Sequence, residues 1–352
     1  MKTKFLSTVL GLLALAVGIS FGVRSNAQVY SLSPMGQAPQ AGNFKITGPF
    51  THDNLSVFLV HGKDRISGRT FLTLQEALTQ KKVIVYETRS VNQLSIENIS
   101  DDEVYVQAGE IVKGGQQDRA LAIDMIVPAR SGKMPIAAFC VEHGRWSKRG
   151  NEQVTVFSSS AEVVSTRDLK LAAKGARSQG EVWQKVSVAQ DKLSKNVGGR
   201  VNAAASESSL QLTLENKDVQ KSAAEYIKAL SGIVNGQSDV IGYAFAINGK
   251  VNSADVYASS GLFKKLWPKL LKATAVEAIS EFNQNAKFAA VNKESVKAFL
   301  NDSETGKAAE KSEDLTKRIQ LVTRESSSNI FFETRDRAQK EVWLHRNYIK
   351  KD

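Results

Sequence analysis

The sequence predicts an α+β protein with a mainly antiparallel, β-sandwich-like core and inserted helices. Short apolar runs separated by turn residues occupy most of the chain before residue 150, as in an antiparallel sheet of short strands. The longer amphipathic stretches with helical spacing follow residue 165, together with further hairpins. Strands grouped first and helices later are typical of an α+β fold rather than of a regularly alternating parallel one.

Apolar runs bounded by turn residues predict the strands in chain order. In the first half these strands are 55–61, 82–88, 94–98, 104–107, 111–112, 121–127 and 136–141. In the second half they are 240–247, 251–257, 319–323, 330–334 and 342–349. Asn248-Gly249 joins two of them and is a strong hairpin turn, because both residues accept a positive φ.

Capping residues and helical periodicity predict four helices. Thr73, followed three residues later by Glu76, forms a capping box that opens a helix over 73–80. Apolar residues at helical spacing predict the remaining helices at 181–193, 218–230 and 262–281. Residues 200–216 are rich in Ala and Ser and are predicted as a loop, and 285–317 as mixed loop and helix.

The composition is that of a globular protein without a covalent framework. Of 352 residues, 42% are hydrophobic and 24% are charged, which excludes a disordered chain. The single cysteine, Cys140, excludes an internal disulfide and a zinc site of paired cysteines. Basic and acidic residues alternate without a basic stripe, so we expect no nucleic-acid partner. Protein partners stay unknown.

The amino terminus has the pattern of a secretory signal peptide over residues 1–27. Two lysines precede an apolar run from Leu6 to Val23, and Ser25-Asn26-Ala27 predicts cleavage before Gln28. An uncleaved membrane anchor is the alternative, since the run is near the minimum length for spanning. Cleavage would give an exported protein, periplasmic or extracellular, with no stable membrane span. An extended linker at 28–45, an α+β domain at 46–284 and a helix and strand extension at 285–352, packed on the same domain, complete the predicted organisation.

Polar residues concentrate around a pair of glycines at 108–119. Such a pair permits a tight turn or the close approach of a ligand, and a guanidinium forks onto carboxylates and phosphates. The candidates are Glu110 and Asp118 as catalytic acid and base, or as ligands of a hard cation, and Gly114, Gly115, Gln117 and Arg119 as ligand-binding residues. The alternative is an ordinary turn with a solvated tip, in which Arg119 pairs with Asp118 or Glu110.

A second polar cluster lies at 139–146. Strand alternation separates Cys140 from His143, so Cys140 is interpreted as a core residue. Glu142 is a third catalytic candidate, and Arg145 and Trp146 are ligand-binding candidates, because this segment can run beside the glycine pair in a meander. A surface ion pair beside a structural Trp is the alternative. The four histidines lie at no metal-ligand spacing, so no metal site is predicted and any cofactor is unknown.

Several segments in a fixed order carry a resemblance to a known family. They are AGEIVKGGQQDR at 108–119, VPARSGKMPIAAFCVEHGRW at 127–146, SQGEVW at 178–183, IGYAFAINGKVNSADVYAS at 241–259 and LFKKLWPKLLKATAVEA at 262–278. Together they resemble the ARG and Rhodanese-Phosphatase-superfamily-associated Protein domain, in which ARG stands for ADP-ribosylglycohydrolase. The resemblance implies a context of ADP-ribose and NAD-related metabolism, but no established activity and no known catalytic residue.

Two functions of different class follow, and the sequence does not decide whether the protein is an enzyme. In the first, the exported protein binds or processes an anionic phosphorylated or ribose-containing small molecule, held by Arg119 and Arg145 in a pocket of the candidate residues. In the second, it is a non-catalytic binding or structural module with an internal Glu/Arg network. An open pocket favours the first and a closed network the second. In either case a buried Arg119 must meet a carboxylate, a set of carbonyl groups or an anionic ligand, and we expect Glu110 or Glu142 as the nearest carboxylate.

Overall fold

The computed structural model describes residues 44–351, apart from positions 67, 165, 307, 308, 340 and 341. About 31% of the chain is helix and 35% is strand, in large antiparallel sheets, which confirms the predicted α+β class with a mainly β core. The predicted signal peptide at 1–27 and the linker up to residue 43 lie outside the described residues.

One sheet of eight antiparallel strands joins the beginning and the end of the described chain. From one edge to the other its strands are β1 (Lys45–His52), β2 (Leu55–His61), β12 (Val240–Ile247), β13 (Lys250–Tyr257), β17 (Val342–Lys350), β16 (Asn329–Asp336), β15 (Ile319–Glu325) and β14 (Ala309–Asp314). The register of β13 and β17 sets Asp255 opposite Asn347 and Tyr257 opposite His345. The carboxy-terminal strands therefore continue the sheet that the earlier strands begin.

Two smaller sheets come from residues 72–158. One has six strands in the order β11 (Phe157–Ser158), β7 (Ile111–Gly114), β8 (Arg119–Leu121), β10 (Gly132–Cys140), β5 (Gln93–Asn98) and β4 (Val83–Ser90). The other has β3 (Leu72–Thr73), β6 (Val104–Val106) and β9 (Met125–Val127). Among the described strands, β3 and β6 form the only parallel pair.

Seven α-helices lie in the described part of the chain. They are α1 (Leu74–Thr79), α2 (Arg167–Lys170), α3 (Gln179–Val197), α4 (Leu210–Leu214), α5 (Lys217–Leu230), α6 (Ser260–Ser280) and α7 (Lys293–Thr305). The capping box of Thr73 and Glu76 is confirmed at α1, and α3 ends at Gly198 with a φ of 75° that glycine adopts without strain. A π-helical turn, Leu171–Ala176, follows α2, and short 3₁₀ turns occupy Ser231–Val234 and Arg337–Gln339.

Helices cover both faces of the eight-stranded sheet. On one face, Val57 and Phe245 belong to the apolar core formed with α3, α5 and α6. On the other face, their chain neighbours Phe58 and Ala244 pack in a second core with α7. Because successive strand residues point to opposite faces, β2 and β12 contribute to both cores and read as continuous apolar runs.

Three predictions for local structure need correction. The single strand predicted over 121–127 is divided into β8 and β9, because Asp124 turns inward to accept hydrogen bonds from Ala108 N and Thr334 Oγ1. The loop predicted at 200–216 contains α4, which the Ser209 side chain caps by accepting from Leu212 N. The segment 285–317, predicted as loop and helix, also contains β14 at the edge of the large sheet.

Candidate functional site

Four charged side chains from the two predicted polar clusters, and from the loop that follows, form one closed group. We call this group the ion-pair cluster: Asp118, Glu142, Arg145 and Arg149. Arg149 donates to both Asp118 carboxylate oxygens, at 2.8 and 2.9 Å, and Arg145 forks onto both oxygens of Glu142, at 2.6 and 2.7 Å. All four side chains are at most 8% exposed. Each forked pair therefore satisfies both oxygens of its carboxylate within the protein.

The glycine pair folds onto the ion-pair cluster. Gly114 N donates to Asp118 Oδ1 at 3.0 Å, while Arg145 donates to the carbonyl oxygens of Gly114 and Gly115. Gly115 has a φ of 56°, and a Cβ there would lie 2.3 Å from the Phe157 ring, so only glycine fits. The two glycines thus allow the turn to pack against Asp118 and Arg145. The sequence predicted that the segment containing Arg145 would run beside this turn.

Burial and ion pairing act in opposite directions on the two carboxyls of this cluster. Burial favours the neutral form of Glu142, but hydrogen bonds from Arg145 and from Asp118 N hold the pKa of its carboxyl below the ordinary value. For Asp118, burial outweighs the hydrogen bonds from Arg149 and the pKa is raised. Gln117 completes the enclosure by donating to the Glu142 carbonyl oxygen at 2.9 Å.

Arg119 does not pair with Glu110 or Glu142, and that expectation is wrong. Its side chain is fully buried, and its nearest carboxylate oxygen is Glu87 Oε2 at 3.7 Å. The reason is strand alternation: Arg119 lies opposite Cys140 in the β8–β10 register and points away from its neighbour Asp118. Trp146, which is 46% exposed, lies over the guanidinium at 5.5 Å. Nε and Nη2 of Arg119 have no hydrogen-bond partner among the described residues.

Glu110 has its own partners, none of which belongs to the ion-pair cluster. Its carboxylate accepts from Lys269 Nζ of α6 at 2.8 Å and from Gln107 N at 2.9 Å. The charge of Glu110 also acts on Tyr105. The pKa of the Tyr105 hydroxyl is well above its ordinary value, mainly because the group is buried and then because Asp124 and Glu110 are negatively charged. Of the predicted catalytic candidates, the structure therefore brings Asp118 and Glu142 together and leaves Glu110 apart.

Near Glu110, a histidine lies between two buried aspartates. We call Asp124, Asp255 and His345 the His345 cluster. His345 Nδ1 is 3.0 Å from Asp124 Oδ2 and Nε2 is 3.0 Å from Asp255 Oδ1, and the Tyr257 ring stacks on the imidazole at 4.5 Å. Ionised carboxylates only accept hydrogen bonds, so an imidazolium that donates from both nitrogens satisfies this geometry.

The protonation of the His345 cluster follows from its neighbours. Burial disfavours the charged imidazole, but the two aspartates outweigh burial and raise the pKa of His345. Burial likewise opposes ionisation of Asp124, yet the charges of Lys174 and His345 hold the pKa of its carboxyl far below the ordinary value. Asn347 donates to Asp255 at 2.8 Å and fixes the second carboxylate.

A cavity of about 620 Å³ lies between α3, the turn of the β12–β13 hairpin and residues 287–289. We call it the Glu277 cleft. Glu277, on α6, lines this cavity and is 2% exposed. Oε1 accepts from Arg167 N at 2.7 Å and from Asn252 Nδ2 at 3.0 Å, whereas Oε2 has no partner among the described residues. Burial raises the pKa of Glu277, and the nearby Lys170 charge offsets this only in part.

A strand irregularity positions Asn252 for this contact. Phe245 opposes Ser253 and Ala246 opposes Val251, so Asn252 is the additional residue of a β-bulge. Bulges redirect a side chain and are frequent beside functional sites. Here the redirected amide donates to Glu277 at the base of the cleft.

The walls of the Glu277 cleft are cationic and partly apolar. Lys185 is paired with Asp168, and Lys192 with Glu281. The cleft is further lined by Arg167, Lys250, Lys287, Val188 and Phe288. Lys250 and Lys287 have no ion pair with any carboxylate in the described part of the chain. Val188 and Phe288 are among the most exposed large apolar side chains of the described residues, at 37% and 38%.

The sequence patterns did not indicate Glu277 or His345 as site residues. Glu277 carried a signal, because it is an acidic residue within the apolar run Ala275-Val276-Glu277-Ala278-Ile279 of a helix whose residues are buried on nearly all sides. His345 carried none, since its aspartate partners are 90 and 221 residues away.

Within the described residues, no group of three or more His, Cys, Asp and Glu side chains is arranged to hold a metal ion. The same residues contain no helix long and apolar enough to cross a membrane. Cys140 is buried, and burial raises the pKa of its thiol to about 11, which fits the core role predicted for it.

Comparison with protein families identifies the chain. The profile of the ARG and Rhodanese-Phosphatase-superfamily-associated Protein domain matches residues 43–349. The chain belongs to this family. The match includes β1 and ends within β17, so the carboxy-terminal strands belong to the ARG and Rhodanese-Phosphatase-superfamily-associated Protein domain. The family is uncharacterised, and membership assigns no reaction. No curated protein and no solved structure matches the chain.

Proposed function

We propose that this family member binds an anionic, phosphorylated or ribose-containing small molecule in the Glu277 cleft. The observation that carries the proposal is the Glu277 carboxyl oxygen without a protein partner, at the base of a cavity of about 620 Å³ with cationic walls. A buried polar atom without a partner is costly, and a ligand that pairs with it recovers that cost. The volume falls within the range of small-molecule sites.

The side chains of the cleft suggest how such a ligand would lie. Lys250 and Lys287 would attract a phosphoryl group, because an ammonium binds phosphate as a point charge. Glu277 and Asn252 would pair with hydroxyl groups at the base, since a carboxyl with a raised pKa can donate as well as accept. Phe288 offers an exposed ring to a planar group. This arrangement supports binding and leaves the choice between carrier and enzyme to experiment.

Export and metabolic context are parts of the same proposal. The signal-peptide pattern at 1–27 supports a periplasmic or extracellular location. The family description supports a context of ADP-ribose and NAD-related metabolism. Expression of the tagged full-length chain tests the location. We expect the protein in the periplasm or the medium, with a mass lower by that of residues 1–27.

Ligand-induced thermal stabilisation tests the binding function. A panel of nucleotides, sugar phosphates and divalent metals is screened, because a ligand at 100 times its dissociation constant adds about 2.7 kcal/mol to the free energy of unfolding. We expect a phosphorylated compound to raise the Tm of the wild type. A double Lys250→Ala, Lys287→Ala variant should lose this response. The matched control, Lys221→Ala with Lys228→Ala on the solvent side of α5, should keep it.

A non-catalytic module with an internal Glu/Arg network is the second candidate. The closed ion-pair cluster supports it, because every carboxylate oxygen of Asp118 and Glu142 is hydrogen-bonded within the protein. This candidate predicts that no member of the panel raises the Tm. Binding in the cleft would be contradicted by a ligand-induced rise in Tm that is equally large in the Lys250→Ala, Lys287→Ala variant and in the lysine control.

A further inference from the structure

A second cavity lies along the face of α3 opposite to the Glu277 cleft. Its volume is about 460 Å³, within the range of small-molecule sites. Trp183, Ser187 and Gln190 line it from α3, at a spacing that places side chains on one face of a helix. Lys192, which lines the Glu277 cleft, lies on the other face. No described residue lines both cavities, so they are separate sites, and we call this one the Trp183 cavity.

The indole of Trp183 forms an aromatic wall of fixed orientation. Its Nε1 donates to the Glu142 carbonyl oxygen at 3.2 Å, and the His143 imidazole meets it edge to face, with the ring centres 4.5 Å apart. His143 is itself held, because its backbone N donates to Ser208 Oγ at 2.9 Å and its carbonyl oxygen accepts from the same hydroxyl at 2.6 Å. Trp183 nevertheless stays partly exposed, so its apolar surface is available to a ligand.

Two side-chain amides at the cavity have their nitrogens engaged and their oxygens free. Gln190, which is 4% exposed, donates from Nε2 to the Glu207 carbonyl oxygen and to Thr213 Oγ1, both at 2.8 Å. Asn202 Nδ2 donates to the same carbonyl oxygen at 2.8 Å. Because a carbonyl oxygen only accepts, this contact fixes which end of each amide is the nitrogen. Neither Gln190 Oε1 nor Asn202 Oδ1 has a hydrogen-bond partner among the described residues, so both remain acceptors for a ligand.

The Trp183 cavity carries almost no net charge. Its described lining contains no Lys or Arg, and its one carboxylate, Glu207, pairs with Arg200 at 2.7 Å. An anion would be repelled by the free amide oxygens, and a cation would find no unpaired carboxylate. Free acceptors beside an aromatic wall instead favour a neutral ligand with hydroxyl donors and an apolar ring face. A sugar has both, because its hydroxyl groups lie around the ring and its C–H groups lie on the ring faces.

We propose that the Trp183 cavity is a binding site for a neutral saccharide. One face of a sugar ring would pack on the Trp183 indole, and its hydroxyl groups would donate to Gln190 Oε1 and Asn202 Oδ1. The exposed Ser187 hydroxyl, which has no hydrogen-bond partner among the described residues, would pair with a further sugar hydroxyl. Because bonds within the protein already hold these walls, little ordering opposes the binding of the sugar.

Isothermal titration of the full chain with neutral disaccharides tests the site, with cellobiose, maltose, lactose and diacetylchitobiose as probes. We expect saturable binding of at least one of them. Trp183→Ala should weaken that binding about tenfold or more, as expected for the loss of one aromatic stacking contact, and Trp183→Phe, which keeps a ring, should retain part of the affinity. The matched control is Phe282→Ala, which removes an exposed aromatic ring that lines neither cavity and should leave the affinity unchanged.

Ser187→Trp decides the case in which Trp183→Ala does not fold, as judged by circular dichroism. It replaces an exposed side chain that makes no hydrogen bond within the described residues, and its bulk fills the space beside the indole, so it should abolish sugar binding. The Lys250→Ala, Lys287→Ala variant of the Glu277 cleft should bind the sugar as the wild type does.

Three results would overturn the saccharide site. The first is a wild type that binds none of the four disaccharides. The second is a folded Trp183→Ala or Ser187→Trp variant with wild-type affinity. The third is loss of sugar binding in the Lys250→Ala, Lys287→Ala variant alone, which would show that the sugar binds in the Glu277 cleft.

Discussion

The ion-pair cluster and the Glu277 cleft both collect charged side chains, but they differ in what completes them. In the ion-pair cluster, Arg145 and Arg149 fork onto Glu142 and Asp118, and the group is closed to solvent. In the cleft, Glu277 has one carboxyl oxygen without a protein partner, and Lys250 and Lys287 lack carboxylates among the described residues. A cluster of charged residues therefore indicates a ligand site only where some of its charged groups lack a partner within the protein.

The largest effect should come from breaking the ion-pair cluster. Glu142→Ala removes the carboxylate that pairs with Arg145 and leaves this buried guanidinium with Asp118, at 3.9 Å, as its remaining carboxylate, so we expect a loss of about 3–5 kcal/mol in the free energy of unfolding. Chemical denaturation measures it. The matched control is Glu215→Ala, which removes a half-exposed partner of Lys113 and should cost less than about 1 kcal/mol. A Glu142→Ala variant as stable as the control would mean that the cluster is not structural.

The next effect is the pH dependence that the His345 cluster adds. The folded-state pKa of His345 is raised above its unfolded value of about 6.5, so its stabilisation is fully present below that value. It is lost as the pH rises through the folded-state pKa, because deprotonation removes one of the two hydrogen bonds to Asp124 and Asp255. The denaturant concentration at the midpoint of unfolding should therefore decrease as the pH rises above about 6.5.

His345→Gln isolates that contribution. This variant keeps a polar side chain but cannot take up a proton, so its stability should be lower at pH 6 and should vary less with pH than that of the wild type. His143→Gln, on an exposed loop, should leave the wild-type profile unchanged. Parallel pH profiles for wild type and His345→Gln would show that the imidazole is not the titrating group.

The smallest effect on stability should come from the base of the Glu277 cleft. Glu277→Gln keeps an oxygen that can accept from Arg167 N and Asn252, and it removes only a carboxyl whose second oxygen has no protein partner. We expect a change of less than about 1 kcal/mol in the free energy of unfolding. The same variant should weaken the thermal response to the best phosphorylated ligand. A loss of several kcal/mol would instead assign Glu277 to the core.

Local signals predicted most of the fold. The capping box at Thr73 and Glu76, the Asn248-Gly249 turn and the face of α3 are specified by residues close in sequence, so a single sequence contains them. The divided strand at Asp124 was not predictable in this way, because its cause is a contact with Thr334 and His345, more than 200 residues away.

The candidate site was predictable only in part, for the same reason. Asp118, Glu142 and Arg145 come together through the β8–β10 meander, which short-range patterns can suggest. Strand alternation placed Arg119 on the opposite face, next to Glu87, and no local pattern indicates which carboxylate lies there. The cleft depends on the packing of α3, α6 and the β12–β13 hairpin, so its opening is a property of tertiary structure.

Hydrogen exchange with and without the best phosphorylated compound of the panel tests the central claim most directly. The claim is that the Glu277 cleft binds ligand and the ion-pair cluster supports the fold. We predict that bound ligand slows exchange in peptides covering 247–252 and 287–289, while those covering 114–119 and 142–149 exchange at an unchanged rate. Slower exchange at 114–119 and 142–149, with no change at 247–252 and 287–289, would contradict the claim. It would indicate that the ligand binds at the ion-pair cluster instead.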